Sequence, residues 1–252
     1  MPKYIYNVRK SPLDDRDLIY EVTGKDILPT SFSLRDEMPP VLNQMALGSC
    51  SSQATSNILR HLLKLEKLPE FQPSRLYLYY NTRVLIAHDS PKEDTGCVLR
   101  DVCKAVKKYH ACDEKVWPYV IPKFSQAPPL AAYKNADLHK QVRYARVPQD
   151  LDTIKQIIVN KTPILIGVAV FESFESDQAI KTGDIPMPDP TKEQMLGGHA
   201  IVLCGYDDAT ERFLIQNSWG TNVGKQGYFT LPYKYVLDPN LAGDFWVFTL
   251  FK

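Results

Sequence analysis

The chain has 252 residues and a net charge of +1, from 30 basic and 29 acidic side chains. That length supports one large domain or two closely packed lobes. The charge balance gives no electrostatic case for nucleic acid or an anionic membrane as a partner, so we expect neither, and we expect a monomer. No apolar run approaches the ~20 residues of a membrane-spanning helix. The first residues lack the apolar centre of a secretory signal, which favours an intracellular protein unless an export signal has been removed.

The polar, mixed-charge sequence of residues 1–27 indicates an extended N-terminal arm. Four large apolar side chains occur within it, at Tyr4, Tyr6, Leu18 and Tyr20. A disordered tail would not need so many in so short a span, because low hydrophobicity is what keeps such tails unfolded. We therefore expect the arm to pack along the rest of the protein.

The next part of the chain has a helical pattern. Ala54, Ile58, Leu62 and Leu65 recur at spacings of three and four residues, which predicts an amphipathic helix with Ser49 as its N-cap. Further helices are predicted after Pro73, which can occupy the first turn, and around Val98–Val106.

The second half of the chain changes to the pattern of strands. A short helix over Leu151–Ile158 comes first. Five apolar runs then predict an antiparallel sheet: Ile164–Val170, His199–Gly205, Arg212–Gln216, Gly227–Leu231 and Phe245–Phe251. Helices followed by strands indicate an α+β fold, with a mainly helical part over about 28–130 and a mainly β part over about 131–252.

Three short segments carry groups that together form a nucleophilic site. They are Gln44-Met-Ala-Leu-Gly-Ser-Cys50, Gly197-Gly-His-Ala200 and Gln216-Asn-Ser-Trp-Gly220. A thiol at the start of a helix, an imidazole at the start of a strand and an amide after another strand are the parts of a Cys-His-Asn arrangement.

Each residue has a chemical role that its type allows. Cys50 is the candidate nucleophile, and a helix N-terminus and a nearby imidazolium would lower the pKa of its thiol. His199 is the candidate acid and base, and Asn217 would fix its tautomer and ring direction. Trp219 would shield that hydrogen bond from water. The Gln44 amide would bind a developing oxyanion together with the Cys50 N–H.

These segments resemble the papain-like cysteine peptidases, and the chain is identified as a member of a divergent bacterial, archaeal or viral branch. Members of this family carry Gln six residues before the Cys of a Gly-Ser/Ala-Cys motif, a strand-initial His-Ala, and Asn-Ser-Trp-Gly. The resemblance implies a helical left lobe and a β-rich right lobe with the active-site cleft between them. It also implies that Gly96, Gly198 and Trp219 contact substrate.

The sequence departs from the family pattern at several points. Leu47 stands where many members have a disulfide cysteine, and Ser51 stands where most have an aromatic residue. The glycine-rich substrate segment is reduced to Asp94-Thr-Gly96-Cys97. Of the remaining cysteines, Cys103 and Cys204 are expected to be buried, and the sequence leaves open whether Cys97 and Cys112 form a disulfide.

The resemblance implies a cysteine endopeptidase acting on peptide or protein substrates, with no metal and no organic cofactor. The arm is then either a short propeptide that covers the cleft or a segment that packs far from it. Two other functions use the same residues: a catalytically silent binding module, and a Cys-His acyl or amide transferase. The complete set of four side chains argues against the silent module, and peptide cleavage would separate a peptidase from a transferase.

Overall fold

A computed structural model describes residues 3–22, 27–139 and 141–251 of the chain. Its centre is an antiparallel sheet, which confirms the predicted α+β class. The strands are β1 (Ser31–Ser33), β2 (Gln141–Arg146), β3 (Ile164–Phe171), β4 (Met195–Asp207), β5 (Arg212–Gln216), β6 (Tyr228–Pro232) and β7 (Ala242–Phe251). They run in the order β2-β7-β3-β4-β5-β6, and β1 pairs with the end of β4.

Seven α-helices lie in the described ranges: α1 (Cys50–Leu65), α2 (Arg75–Tyr80), α3 (Leu99–Tyr109), α4 (Leu130–Ala136), α5 (Leu151–Val159), α6 (Asp177–Thr182) and α7 (Tyr233–Leu237). A π-helical turn (Asn81–Ile86) continues α2, and short 3₁₀ turns cover Ile121–Lys123 and Glu172–Glu175. None of the helices in these ranges is long and apolar enough to cross a bilayer.

Helix α1 begins at Cys50, as the sequence predicts, but it lacks the predicted capping hydrogen bond with Ser49. Ser49 occupies the N-cap position, but its hydroxyl makes no capping hydrogen bond. It is instead 2.7 Å from the Tyr119 hydroxyl and accepts from Gln53 Nε2 at 3.0 Å. The apolar stripe Ala54, Ile58 and Leu62 is buried, so packing rather than the cap stabilises this helix.

Strand β4 is longer than its predicted segment. It begins at Met195, so His199 lies inside the strand and not at its start. The segment before His199 contains Gly197 and Gly198, and glycine has a low β-propensity, so the sequence pattern does not predict a strand there. Gly197 pairs with Val170 and Gly198 with Ala169, which extends the β3–β4 ladder past His199. Alternation along the strand then sets the side on which the imidazole lies.

The elements that the sequence pattern missed are short or lack apolar periodicity. Strand β2 contains two arginines and pairs with β7, and β1 has only three residues. Helices α4, α6 and α7 have five to seven residues each. Such elements depend on neighbours in space, which a sequence window does not contain.

All five cysteines are free thiols, so the structure contains no bridge between Cys97 and Cys112. Cys103 and Cys204 are fully buried, as predicted.

Candidate active site

Cys50, His199 and Asn217 meet where α1, β4 and the loop after β5 come together. The backbone N–H of Ala200, next to the histidine, donates to Cys50 Sγ at 3.4 Å. His199 Nε2 is 2.8 Å from Asn217 Oδ1. Cys50 and His199 have no solvent-exposed surface, and Asn217 is buried.

The hydrogen bonds around Asn217 determine the tautomer of His199. The Ser218 N–H also donates to Asn217 Oδ1 at 2.7 Å, which identifies that atom as the amide oxygen. Because an oxygen only accepts, His199 Nε2 must carry the proton. Nδ1 is then the basic nitrogen of the neutral ring, and it makes no hydrogen bond in the structure although it is buried. Nδ1 is therefore available to exchange a proton with the thiol.

Gln44 lies beside this pair and is completely buried. Its Oε1 accepts from Ser218 Oγ at 2.8 Å, and its Nε2 donates to Leu47 O at 3.1 Å. The backbone also joins the two loops, because Gln44 N donates to Ser218 O at 2.9 Å. One of the two Nε2 protons is used by Leu47, which leaves the second for an oxyanion near the Cys50 N–H.

Trp219 covers the imidazole. Its ring stacks on His199 with a centroid separation of 5.3 Å and an interplanar angle of 26°. On the tryptophan, Tyr4 of the arm stacks at 4.3 Å with an interplanar angle of 1°. The polar histidine edge is thus enclosed by aromatic surface, which excludes water from the His199–Asn217 bond.

The N-terminal arm crosses this site. Tyr6 contacts the His199 ring edge-on, with 5.6 Å between centroids. The Val8 N–H donates to Gly198 O at 3.0 Å, and the Arg9 N–H donates to Cys97 O at 3.1 Å. The arm therefore forms backbone hydrogen bonds with both walls of the cleft.

Glycines make room for the arm. A Cβ added at Gly48 or Gly96 would overlap Asn7, and one at Gly197 would overlap Tyr6. Of the predicted substrate-binding residues, Gly198 and Trp219 contact the arm directly, and Gly96 lies against Asn7. The arm thus occupies the space that these residues were expected to provide for substrate.

Carboxylates hold the arm at Lys3 and Tyr6 and again at Asp17. Glu175 accepts from the Lys3 N–H at 3.0 Å and from the Tyr6 hydroxyl at 2.6 Å. Asp17 forms a buried ion pair with Arg100 at 2.5 Å, and Arg146 approaches the same carboxylate at 3.5 Å. Of the four apolar anchors expected from sequence, Leu18 is wrong, because it is 70% exposed. The arm turns so that its backbone, not this side chain, contacts β2: Arg146 N donates to Leu18 O.

Burial favours the uncharged forms of the Cys50 thiol and the His199 imidazole. Desolvation raises the pKa of the Cys50 thiol to about 12, although hydrogen bonds from Ala200 and Ser51 oppose it. Desolvation likewise lowers the pKa of His199 to about 4, against the opposing hydrogen bond of Asn217. The expected lowering of the thiol pKa is therefore wrong for the arm-covered site, because loss of hydration outweighs the helix N-terminus.

Sequence reasoning missed several side chains that build the site. Ser218, Glu175 and Asp94 all hold segments that border the cleft. Ser218 lies within the Asn-Ser-Trp-Gly motif and so had a sequence signal. Glu175 ends a 3₁₀ turn and Asp94 begins the short segment that contains Gly96, and only their contacts across the chain show what the two carboxylates hold.

The chain is similar to known proteins over most of its length. A family model described as papain family cysteine protease matches residues 28–237. An uncharacterized peptidase C1-like protein of Acanthamoeba polyphaga mimivirus is 41% identical over 215 residues, covering 82% of this chain and 68% of the relative. A cathepsin B-like protein, CP2, of Giardia intestinalis is 26% identical over 225 residues, covering 83% and 70%.

Solved structures show the same architecture. Xylellain, a cysteine protease from Xylella fastidiosa, superposes with a TM-score of 0.88 at 33% identity, covering 98% of this chain and 96% of the other. Digestive procathepsin L 3 from the larval midgut of Tenebrio molitor superposes with a TM-score of 0.69 at 16% identity, covering 93% and 74%. The second likeness concerns the fold alone.

Proposed function

Since the chain belongs to the papain family of cysteine peptidases, we propose that it is an endopeptidase in which Cys50 is the nucleophile and residues 3–11 form a removable cover of the cleft. The observation that carries the catalytic assignment is the convergence of Cys50, His199 and Asn217 from three separate elements.

The first half-reaction forms a thioester. With the arm displaced, water enters and the thiol proton passes to His199 Nδ1, giving a thiolate and an imidazolium. Sγ attacks the scissile carbonyl carbon, and the oxyanion is bound by the Cys50 N–H and Gln44 Nε2. The C–N bond then breaks as His199 returns its proton to the leaving amine.

The second half-reaction releases the acid. His199 Nδ1 takes a proton from water as the hydroxide adds to the thioester carbonyl, and the second oxyanion forms in the same place. The C–S bond then breaks, the acid leaves, and Cys50 remains as a thiolate beside the His199 imidazolium. Throughout, Asn217 Oδ1 holds the Nε2 proton and keeps the ring aligned with the sulfur.

The cover works by occupancy and by desolvation. Tyr6 and Asn7 fill the space over His199 and between Gly48 and Gly96, so a substrate cannot enter. The same burial holds Cys50 as a thiol and His199 as a neutral imidazole. Neither group is then in the charged state that peptide cleavage requires.

The catalytic assignment is tested by labelling. The Tyr4→Ala/Tyr6→Ala chain, in which the arm is weakened, is incubated with an epoxide inhibitor of cysteine peptidases, and its mass and that of its peptides are measured. One adduct at Cys50, lost in Cys50→Ala, is expected together with cleavage of a peptide substrate. Equal labelling of Cys97 or Cys103 contradicts the assignment. Labelling without peptide cleavage favours the transferase.

The cover is tested in the full-length chain with Tyr4→Ala/Tyr6→Ala. These changes remove the stacking on Trp219 and the hydroxyl bond to Glu175, so labelling of Cys50 and peptide cleavage should both become faster. Leu18→Ala is the matched control, because it removes an exposed side chain from the same arm. Equal rates in all three proteins would contradict the proposed cover.

A further inference from the structure

One carboxylate connects two walls of the cleft without taking part in the chemistry described above. Asp94 Oδ2 accepts from the Gly48 N–H at 2.8 Å, two residues before Cys50. Its Oδ1 accepts from the Tyr79 hydroxyl. The same Tyr79 oxygen accepts from the Gly96 N–H at 3.1 Å. The nucleophile loop and the Gly96 segment are therefore joined through one side-chain pair.

Buried groups hold this pair in place. Tyr79 has no solvent-exposed surface, and the Arg83 guanidinium lies 4.4 Å from the centre of its ring. Arg83 is also fully buried and donates to the carbonyls of Glu93 and Phe124. Because Glu93 immediately precedes Asp94, Arg83 fixes the backbone from which the carboxylate extends.

The two connected walls enclose a narrow slot next to the nucleophile. A Cβ at Gly48 or at Gly96 would overlap Asn7, so the side chain of Asn7 fills the slot from wall to wall. Asn7 Nδ2 also donates to the Asp94 carbonyl at 2.8 Å. The slot width thus depends on the distance between two backbone segments that Asp94 and Tyr79 join.

We propose that Asp94, acting through Tyr79, is a positioning residue that sets the width of this slot and the place of the loop carrying Cys50. The proposal rests on the proposed function, since the slot receives a substrate side chain only after the arm has left. The connection between the two walls is non-covalent. All cysteines of this chain are free thiols, and Leu47 stands where many members of the family have a disulfide cysteine.

The carboxylate has a second, opposing effect on the nucleophile. Its negative charge is among the causes that raise the pKa of the Cys50 thiol, after burial. The other ionisable groups around Asp94 are Tyr79 and Arg83 on the α2 side, Cys97 beside Gly96, and Tyr119. An asparagine at position 94 would keep an acceptor for the Gly48 N–H and remove the charge, which separates the two effects.

The connection itself is tested by amide hydrogen exchange in the full-length chain, which needs no peptidase activity. Asp94→Ala should speed exchange in peptides covering residues 45–49 and 95–97 by about tenfold. The Gly48 N–H loses its acceptor, and the Gly96 N–H loses the support that Asp94 gives to the Tyr79 hydroxyl. Glu93→Ala is the matched control, since it removes an exposed carboxylate one residue away. Unchanged exchange in a folded Asp94→Ala protein would overturn the proposal.

The functional consequence is measured by peptide hydrolysis in the Tyr4→Ala/Tyr6→Ala chain. Asp94→Ala should lower kcat/KM by about tenfold or more, mainly through a higher KM, because the slot that receives the substrate side chain is no longer held at its width. A misplacement of about 1 Å at an active site costs up to about 10²-fold. Asp94→Asn should recover most of KM and move the acid limb of the rate profile to lower pH, because the thiolate then forms more easily.

Tyr79→Phe isolates the Gly96 side of the connection. It should raise KM. Tyr77→Phe changes a tyrosine on the same helix as Tyr79 and removes a hydroxyl that donates to Tyr109 O, and it should leave KM unchanged. If Asp94→Asn matches Asp94→Ala in KM and leaves the acid limb unmoved, Asp94 is a structural residue only. If the Tyr4→Ala/Tyr6→Ala chain cleaves no peptide while hydrogen exchange responds as expected, the proposed function fails and the connection stands.

Discussion

Burial decides the protonation of the two reactive residues more than their immediate partners do. Cys50 receives a hydrogen bond from Ala200, and His199 is bonded to Asn217. Both partners favour the charged forms, yet the pKa values of both residues move toward the neutral forms, because burial removes water from them. The protonation of Cys50 and His199 is therefore set by the packing around them as well as by their hydrogen-bond partners.

This dependence predicts a change of pH behaviour when the arm is displaced. In the covered chain burial raises the pKa of the Cys50 thiol and lowers the pKa of His199, so alkylation of Cys50 by iodoacetamide should be slow near neutral pH. Hydration in the Tyr4→Ala/Tyr6→Ala chain should lower the thiol pKa and raise that of His199.

The expected result is a bell-shaped profile of peptide hydrolysis, with an acid limb from formation of the thiolate–imidazolium pair and an alkaline limb from its loss. The measurement is kcat/KM against pH beside the alkylation rate. A rate that rises steadily toward the range of a free thiol, near ~8.5, would show that no such pair exists.

Gln44 is expected to act in the transition state and not in substrate binding. Gln44→Ala should lower kcat by ~10²-fold or more, the cost of one lost oxyanion donor, with little change in KM. Steady-state kinetics in the arm-weakened chain give both constants, and the exposed Gln126→Ala serves as control. A change confined to KM would assign Gln44 to binding.

At the scale of elements, the arm is anchored by a buried ion pair outside the cleft. The side chains of Arg100 and Asp17 are 5% and 8% exposed, and the pKa of Arg100 is raised first by its hydrogen bond to Asp17. Such pairs are costly to break from one side, because the remaining charge is left buried without a partner.

Asp17→Ala should therefore destabilise the chain by about 3 kcal/mol, as measured by urea unfolding. The neighbouring Asp15→Ala changes an exposed carboxylate and should stay within about 0.5 kcal/mol of the parent. If Asp17→Ala is as stable as Asp15→Ala, then Arg100 finds another acceptor, and the anchor does not hold the arm.

At the scale of the whole molecule, the arm connects parts of the fold that are far apart in sequence. It reaches Glu175 before α6, Cys97 before α3, and Asp244 in β7, where the Ser11 N–H donates at 2.7 Å. Because it is covalently attached, its local concentration at the cleft is in the range of about 1 mM. A free peptide must exceed that concentration or wait for the arm to leave.

Deleting residues 1–27 should accordingly raise initial peptidase activity, seen mainly as a lower apparent KM. The comparison is between the full chain and the truncated protein at equal concentrations of inhibitor-titrated Cys50. Unchanged kcat/KM in a folded truncated protein would remove the inhibitory role. Loss of folding would instead make the arm a structural part of the domain.

The sequence by itself determined the family and the class of fold. Cys50, His199, Asn217 and Gln44 stand in short motifs whose residue types predict their roles, and the helix at Cys50 follows from local periodicity. The α+β class follows from the change of period along the chain. These features are local, so a short window of sequence contains them.

The tertiary structure alone decided what covers the site and what holds its walls. Whether Tyr6 lies over His199 or far from it depends on contacts across almost two hundred residues. The same is true of Asp94, which stands beside Gly96 in the sequence but whose carboxylate reaches Gly48 only in the fold. The protonation of Cys50 belongs to this second group, because desolvation depends on every atom packed around the sulfur and not on the residues beside it in the chain.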